Sequence, residues 1–284
     1  SYHGKEHLMN IYISFDMEGI GGIDRFSDEY KAASAYSRAI HAHLQAVIDG
    51  IQRSPKNDEI ETITVADSHG DGKNLDYLAL SEMDERIELI SGYPRGEYMM
   101  SGLDRHDVIF FLGYHASSGQ HRANMDHSYS TSFHRVSING IKCSEAMINQ
   151  IYAKEKHIPV GLIIGDSGLY NQLILEGYMP YVEYVVTKDS LAHSAVVHRN
   201  FQKVRAEIME KVALVLDKDF SSLPLGDLTA PYNVTIETNT TLHADMAEML
   251  PGTTRLDGYR IGMSFDSGKD LINGLMSLEV LCRK

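Results

Sequence analysis

Residues 108–115 read Val-Ile-Phe-Phe-Leu-Gly-Tyr-His, an apolar run of strand length that ends on an imidazole. A strand that is apolar on both faces has to be covered on both sides, the condition of a parallel sheet between layers of helix. Outward from this run the same alternation recurs. Segments 11–15, 60–66 and 87–90 read as strands before it, and 159–165 and 182–186 as strands after it. Helical periods lie between them. One spans 30–51, apolar through Ala35, Ala39, Leu44, Val47 and Ile51; one is capped by Ser144 and runs to about residue 156; a third lies near 170–176. Segment 128–138 reads as a strand entering Asn139-Gly140, a dipeptide suited to a tight hairpin because both residues tolerate positive φ. Downstream come a long helix at about 195–216, strands at 233–238 and 259–265, a helix at 242–249 and a closing helix from about 269. Segment 221–231, rich in Ser, Pro and Gly, connects them. The expected fold is α/β, a mostly parallel sheet flanked by helices with a smaller α+β C-terminal domain. The expected division is a metal-binding α/β domain over 1–190 and the smaller domain over 191–284.

In an open parallel sheet, ligands bind beyond the C-terminal ends of the strands. What stands there is Asp16-Met17-Glu18-Gly19, Asp67-Ser68-His69-Gly70, Gly113-Tyr114-His115 and Gly165-Asp166. Asp16 and Glu18 are two residues apart, so on a strand their carboxylates face the same way. Two like charges held together repel unless a cation lies between them. Each residue also has a plainer reading. An Asp at a strand end commonly caps a turn, and His69, in a glycine-rich turn, can simply be solvated. His115, directly after an apolar strand, is harder to dismiss. Asp67 either orients an imidazole or caps its turn, and Asp166 reads as the N-cap of the next helix. Glu145 sits in the first turn of its helix, where the helix dipole favours a negative charge, and spacing alone does not promote it. His127, in Asp126-His127-Ser128, reads as a catalytic base or as a surface histidine. On the residues alone, a metal-dependent hydrolase stands beside a non-catalytic small-molecule binding module. A dinuclear phosphoesterase, which would want basic residues such as Arg122 near the site, ranks third.

Composition removes other classes. A formal net charge of −13 argues against a nucleic-acid partner, which needs a basic face. No apolar stretch approaches the roughly 20 residues of a membrane span. Residues 1–10 are polar and lack the apolar core of a secretory signal. Cys143 and Cys282 form neither a CxxC nor a disulfide framework, so a cytoplasmic setting is expected and any metal would be held by oxygen and imidazole.

At these residues the sequence resembles the DppA-type metallo-D-aminopeptidases. The matching segments, in order, are ISFDMEGIGG (13–22), ADSHGDGKNL (66–75), FFLGYHA (110–116), MDHS (125–128) and the helix start at Glu145. SLAHSA (190–195) and MLPGT (249–253) extend the likeness over almost the whole chain. The resemblance implies a dinuclear site with two Zn²⁺ per subunit, Mn²⁺ or Co²⁺ being alternatives. In it Asp16 bridges, Glu18 and His115 bind one metal, His69 and Glu145 bind the other, and His127 is the catalytic histidine. It further implies an aminopeptidase that uses metal-activated water on short peptides with a free N-terminus and prefers D-residues. A ring-shaped cytoplasmic homo-oligomer, a decamer among the options, is implied as well. Stereochemistry rests on the resemblance alone, so an aminopeptidase or amidase of other specificity is the alternative. The chain departs from the family between His115 and His127, where the loop is about one residue longer and carries an extra His121 and Arg122. Because that loop is expected to flank the substrate, the departure bears on specificity.

Overall fold

The computed structural model describes residues 7–26 and 33–283. The chain begins with β1 (Met9–Phe15), α1 (Ala33–Arg53), β2 (Ile60–Asp67), α2 (Tyr77–Met83), β3 (Ile87–Ile90) and β4 (Val108–Tyr114). It continues through β5 (Phe133–Ile138), β6 (Ile141–Lys142), α3 (Glu145–Glu155), β7 (Val160–Gly165), α4 (Ser167–Tyr170) and β8 (Glu183–Val186). Then follow β9 (Lys188–Ala192), β10 (Ala195–His198), α5 (Phe201–Leu216) and β11 (Tyr232–Thr238). The last elements are α6 (Thr241–Glu248), β12 (Thr254–Arg255), β13 (Arg260–Phe265) and α7 (Gly268–Leu281).

Six strands form one sheet in the order β3-β2-β1-β4-β7-β8, and every pairing in it is parallel. Side chains alternate across it as the sequence pattern requires. Ile11, Ile13, Phe110, Leu112 and Ile164 pack on one face with Leu44, Val47 and Ile51 of α1 and Ile208 and Val212 of α5. Tyr12, Phe111 and Ile163 face the other way, towards α3, α7 and a second sheet. α1 seats itself through Ile40, Leu44, Val47, Ile48 and Ile51, one stripe at helical spacing, all essentially out of solvent. The second sheet is antiparallel, in the order β12-β13-β11-β5-β6. It is therefore assembled from both sides of residue 190, since β5 and β6 precede that point.

Two expected elements differ. The helix expected from 195 begins only at Phe201, where Asn200 caps it by accepting from the Gln202 N–H. The residues before it, Ala-Val-Val-His, are β-branched at the centre and pair antiparallel with β9 as a hairpin. The strand expected from 128 begins at Phe133, because Tyr129 adopts φ +63° and only a lone bridge joins Ser128 to Ser130. The expected helix at 30–51 is found as α1; its first residues, 30–32, lie outside the described residues.

In the parallel sheet the strand order reverses between β1 and β4. A crevice opens at such a switch point because the connections leave on opposite faces. Both strands end there in the motifs singled out from sequence, Asp16-Met17-Glu18 after β1 and His115 after β4.

Candidate metal centre

The crevice closes around six side chains. Asp16, Glu18, His115 and Glu145 are all buried, and His69 and His127 are partly buried at the rim. The Asp16 carboxylate divides its two oxygens: Oδ1 lies 3.2 Å from His69 Nδ1 and Oδ2 lies 3.3 Å from His115 Nε2. The Met17 N–H donates to Oδ1 at 2.8 Å and fixes the rotamer. Glu18 Oε1 is 3.1 Å from His69 Nδ1, and Glu145 Oε2 is 3.0 Å from His115 Nε2. His127 Nε2 stands farther off, 3.5 Å from Glu145 and 3.8 Å from Glu18. All six residues expected from sequence thus converge.

The convergence depends on how closely two strand ends approach. The Gly19 N–H donates to the Gly113 carbonyl at 2.7 Å and the Asp16 N–H to the Leu112 carbonyl at 2.8 Å. A Cβ on Gly19 would lie 2.0 Å from the Tyr114 carbonyl oxygen, and one on Gly113, which has φ +82°, would lie 2.0 Å from that of Asp16. Only glycine permits this contact, and it places the two carboxylates against His115.

Both stacked imidazoles have their proton placed by the backbone. His115 Nδ1 faces the Ala116 carbonyl at 3.0 Å and His127 Nδ1 faces the Met125 carbonyl at 2.9 Å. A carbonyl only accepts, so each Nδ1 is the donor and each Nε2 is the nitrogen turned to the basin. The two rings lie parallel, 4.1 Å apart with 7° between planes. Phe26 packs edge-on to His127 at 5.4 Å.

The electrostatics call for a cation. Burial by itself would raise the carboxyls of Asp16 and Glu145, but the hydrogen bonds of His115 and His69 to Asp16, and the charges of His115 and His127 beside Glu145, hold both below their ordinary range. His115 is the converse: burial pushes it down, and the surrounding carboxylates, Glu145 first, lift it well above the usual imidazole value. Glu18 Oε2, 3.9 Å from His115 Nε2, is nonetheless buried without a hydrogen-bond partner. An orphaned acceptor of this kind is costly unless something electrophilic lies beside it. The potential ligand atoms fall into overlapping groups: Asp16, Glu18 and His69; Asp16, His115 and Glu145; and Glu18, His115 and His127. Carboxylate oxygens and imidazole nitrogens in threes suit Zn²⁺, with Mn²⁺ or Co²⁺ also accommodated. The shorter distances join Glu18 to His69 and Glu145 to His115, a division different from the one the family resemblance implied.

Several further residues support these six, and of them Arg95, Tyr129 and Lys188 carried no sequence signal. Asp67 does not point its carboxylate along the basin as an isolated acid; it accepts from the N–H groups of Asn74 at 2.6 Å and Leu75 at 2.8 Å, tying down the loop that bears His69. Arg95 donates to the Asp67 carbonyl at 2.6 Å. The left-handed turn at Tyr129 aims its N–H at Glu145 Oε2, 3.1 Å away. Beneath the basin, Lys188 is fully buried and donates to the carbonyls of Glu18 at 2.6 Å and Ile23 at 2.5 Å. Asp166 caps α4, as its position suggested. His121 and Arg122 lie on the surface, outside the lining of the cleft. Both cysteines are free and buried.

Above the basin a cleft of about 270 Å³ runs past Phe26, Tyr93, Tyr98 and Tyr129 to the end of α7. Comparison with known proteins adds a family to this geometry. A family model described as D-aminopeptidase, a peptidase family, matches residues 9–277. A D-aminopeptidase of Bacillus subtilis (strain 168) is 28% identical over 250 residues, spanning 86% of this chain and 87% of the relative. Among solved structures, the Zn-dependent D-aminopeptidase DppA from Bacillus subtilis, described as a self-compartmentalizing protease, superposes with a TM-score of 0.85 at 24% identity. That superposition covers 97% of this chain and 98% of the other.

Proposed function

The chain belongs to the D-aminopeptidase family, and from that premise we propose that its basin holds two zinc ions and removes the N-terminal residue of short peptides. The activity is that of a metal-dependent hydrolase, an aminopeptidase with preference for D-residues. The observation that carries the metal count is the division of Asp16, whose two oxygens face two different histidines. In this reading Asp16 is shared, Glu18 and His69 complete one site, and His115 and Glu145 complete the other. When bound, the metal pair would supply a Lewis acid for the scissile carbonyl and an acidified water.

The chain's own residues do the rest. The Ala116 carbonyl holds the proton on His115 Nδ1, so that Nε2 is the nitrogen turned to the basin as a ligand. The Met125 carbonyl does the same for His127, whose Nε2 faces the cleft from the rim and is the group proposed to accept and return a proton. Its approaches to the two glutamates, 3.8 and 3.5 Å, are longer than that of His69 to Glu18 at 3.1 Å and that of His115 to Glu145 at 3.0 Å, which favours this role over ligation. Phe26, Tyr93, Tyr98 and Tyr129 wall the cleft above the basin.

Elemental analysis of the purified protein tests the reading directly. It expects about two zinc ions per chain, loss of peptide hydrolysis on chelation, and faster turnover of D- than of L-aminoacyl amides. An active protein free of metal would refute it. The relative's self-compartmentalizing character supports extending the proposal to assembly: copies of this chain form a closed homo-oligomeric ring, a decamer, in the cytoplasm. Sedimentation of the purified protein measures that stoichiometry. Among the described residues no helix is long and apolar enough to cross a membrane.

A further inference from the structure

The floor of the cleft is acidic, and its far wall carries one fixed positive charge. Among the described residues that line it, Arg283 is the one lysine or arginine. Its Nε donates to both oxygens of Glu279, at 2.8 and 3.0 Å. The guanidinium carbon lies 5.3 Å from the centre of the Tyr93 ring. These contacts hold the guanidinium plane while the two terminal nitrogens keep no hydrogen-bond partner among the described residues. Those two nitrogens form the fork that matches a carboxylate.

The ordinary role of such a residue is to complement the C-terminal end of a helix and to pair with a glutamate one turn earlier. The surroundings go further than that. Tyr93, under the guanidinium, packs edge-on against Tyr98 with ring centres 5.7 Å apart. The Tyr98 hydroxyl in turn donates to the Gly70 carbonyl, next to His69. Arg283 is thus joined through Tyr93 and Tyr98 to the loop that carries a candidate metal ligand, and both line one cleft. A short peptide whose amino end lies among carboxylates carries its own carboxylate away from them, and Arg283 is the group in the cleft that can receive it.

Resting on the aminopeptidase reading above, we propose that Arg283 binds the C-terminal carboxylate of short substrate peptides, held in orientation by Glu279 and Tyr93. The substrate class is then di- and tripeptides with a free carboxylate, in preference to amides and longer chains.

The test compares D-seryl-glycine and D-seryl-glycyl-glycine, each as free acid and as C-terminal amide, on the zinc-loaded enzyme. The wild type should show the lower KM for a free acid. Arg283→Met should raise that KM on the order of tenfold to a hundredfold, the worth of a charge-assisted bond, with kcat and the amide KM little changed. Arg283→Lys should recover part of the loss, and Glu279→Gln should lose part of it. Calorimetric binding of the free acids to the metal-free protein should fall in Arg283→Met while the unfolding temperature stays that of the wild type. Equal KM for acid and amide in the wild type, or a shift of both alike in Arg283→Met, would overturn the proposal. If zinc-loaded wild type hydrolyses neither, the aminopeptidase reading fails instead, and the calorimetry alone decides the carboxylate contact.

Discussion

Gly113→Ala is the perturbation that most directly tests how the basin is assembled. Alanine at φ +82° incurs the left-handed cost of a Cβ, about 1–2 kcal/mol. Its Cβ would also lie 2.0 Å from the Asp16 carbonyl oxygen and 2.9 Å from Ile20 Cγ1, in a packed interior where neither can yield cheaply. The ends of β1 and β4 would have to part by about 1 Å, weakening the bonds from Gly19 to Gly113 and from Asp16 to Leu112 and leaving buried groups poorly paired. We expect a total loss of roughly 5 kcal/mol. Gly252→Ala is the control: its φ is +90°, but nothing lies within 4 Å of the added Cβ, so only the conformational cost applies. For a chain of 284 residues, unfolding entropy near the midpoint is about 0.6 kcal/mol per degree. The midpoint should therefore fall by about 8 °C in Gly113→Ala and about 2 °C in the control. Calorimetry of the metal-free proteins reads this, and elemental analysis with a peptide assay reads the consequence. Displacing Asp16 by about 1 Å should cost about a hundredfold in turnover and reduce zinc retention. If Gly113→Ala melts with Gly252→Ala and keeps its zinc and activity, backbone contact between the two strand ends is not what builds the site.

Three further outcomes follow from particular contacts. His127→Ala should keep both metals by elemental analysis yet lose about 10²–10⁴ in kcat; near-normal kcat would remove the proton-transfer role. Lys188→Met leaves the carbonyls of Glu18 and Ile23 unpaired in the interior and should cost about 2–3 kcal/mol in urea unfolding, with weaker zinc retention in a chelator competition. Unchanged stability and retention would mean that the lysine is dispensable. His43 is buried, donates from Nδ1 to the Ala39 carbonyl and accepts the Gly21 N–H at Nε2, so the neutral ring satisfies both nitrogens. Burial lowers its pKa to about 4, reinforced by the neighbouring charges of Lys188 and His198. The unfolded chain therefore takes up this proton first, and stability should fall as pH drops from about 6.5 to about 4, by about 3 kcal/mol from this residue. His43→Gln should flatten that part of the stability profile; an unaltered slope would assign it to other groups.

The sequence by itself determined the parallel sheet, because runs such as 108–114 are apolar at both parities and only a doubly covered strand buries them. It also determined which chemistry stands at the strand ends, since the parity of Asp16 and Glu18 and the imidazole closing β4 follow from chain position alone. The resemblance added Glu145 and a role for His127, neither of which periodicity could distinguish from a helix-start glutamate and a loop histidine. The hairpin of β9 and β10 was illegible because helical and strand periods are ambiguous over a few residues, and a partner strand settles the matter. Tertiary structure alone decided which carboxylate pairs with which histidine. It also decided that Asp67 serves its loop, that Lys188 is buried beneath Glu18, and that α7 brings Arg283 to the wall of the cleft. These are contacts between residues up to 190 positions apart, fixed by packing and hydrogen-bond geometry, and local spacing does not encode them.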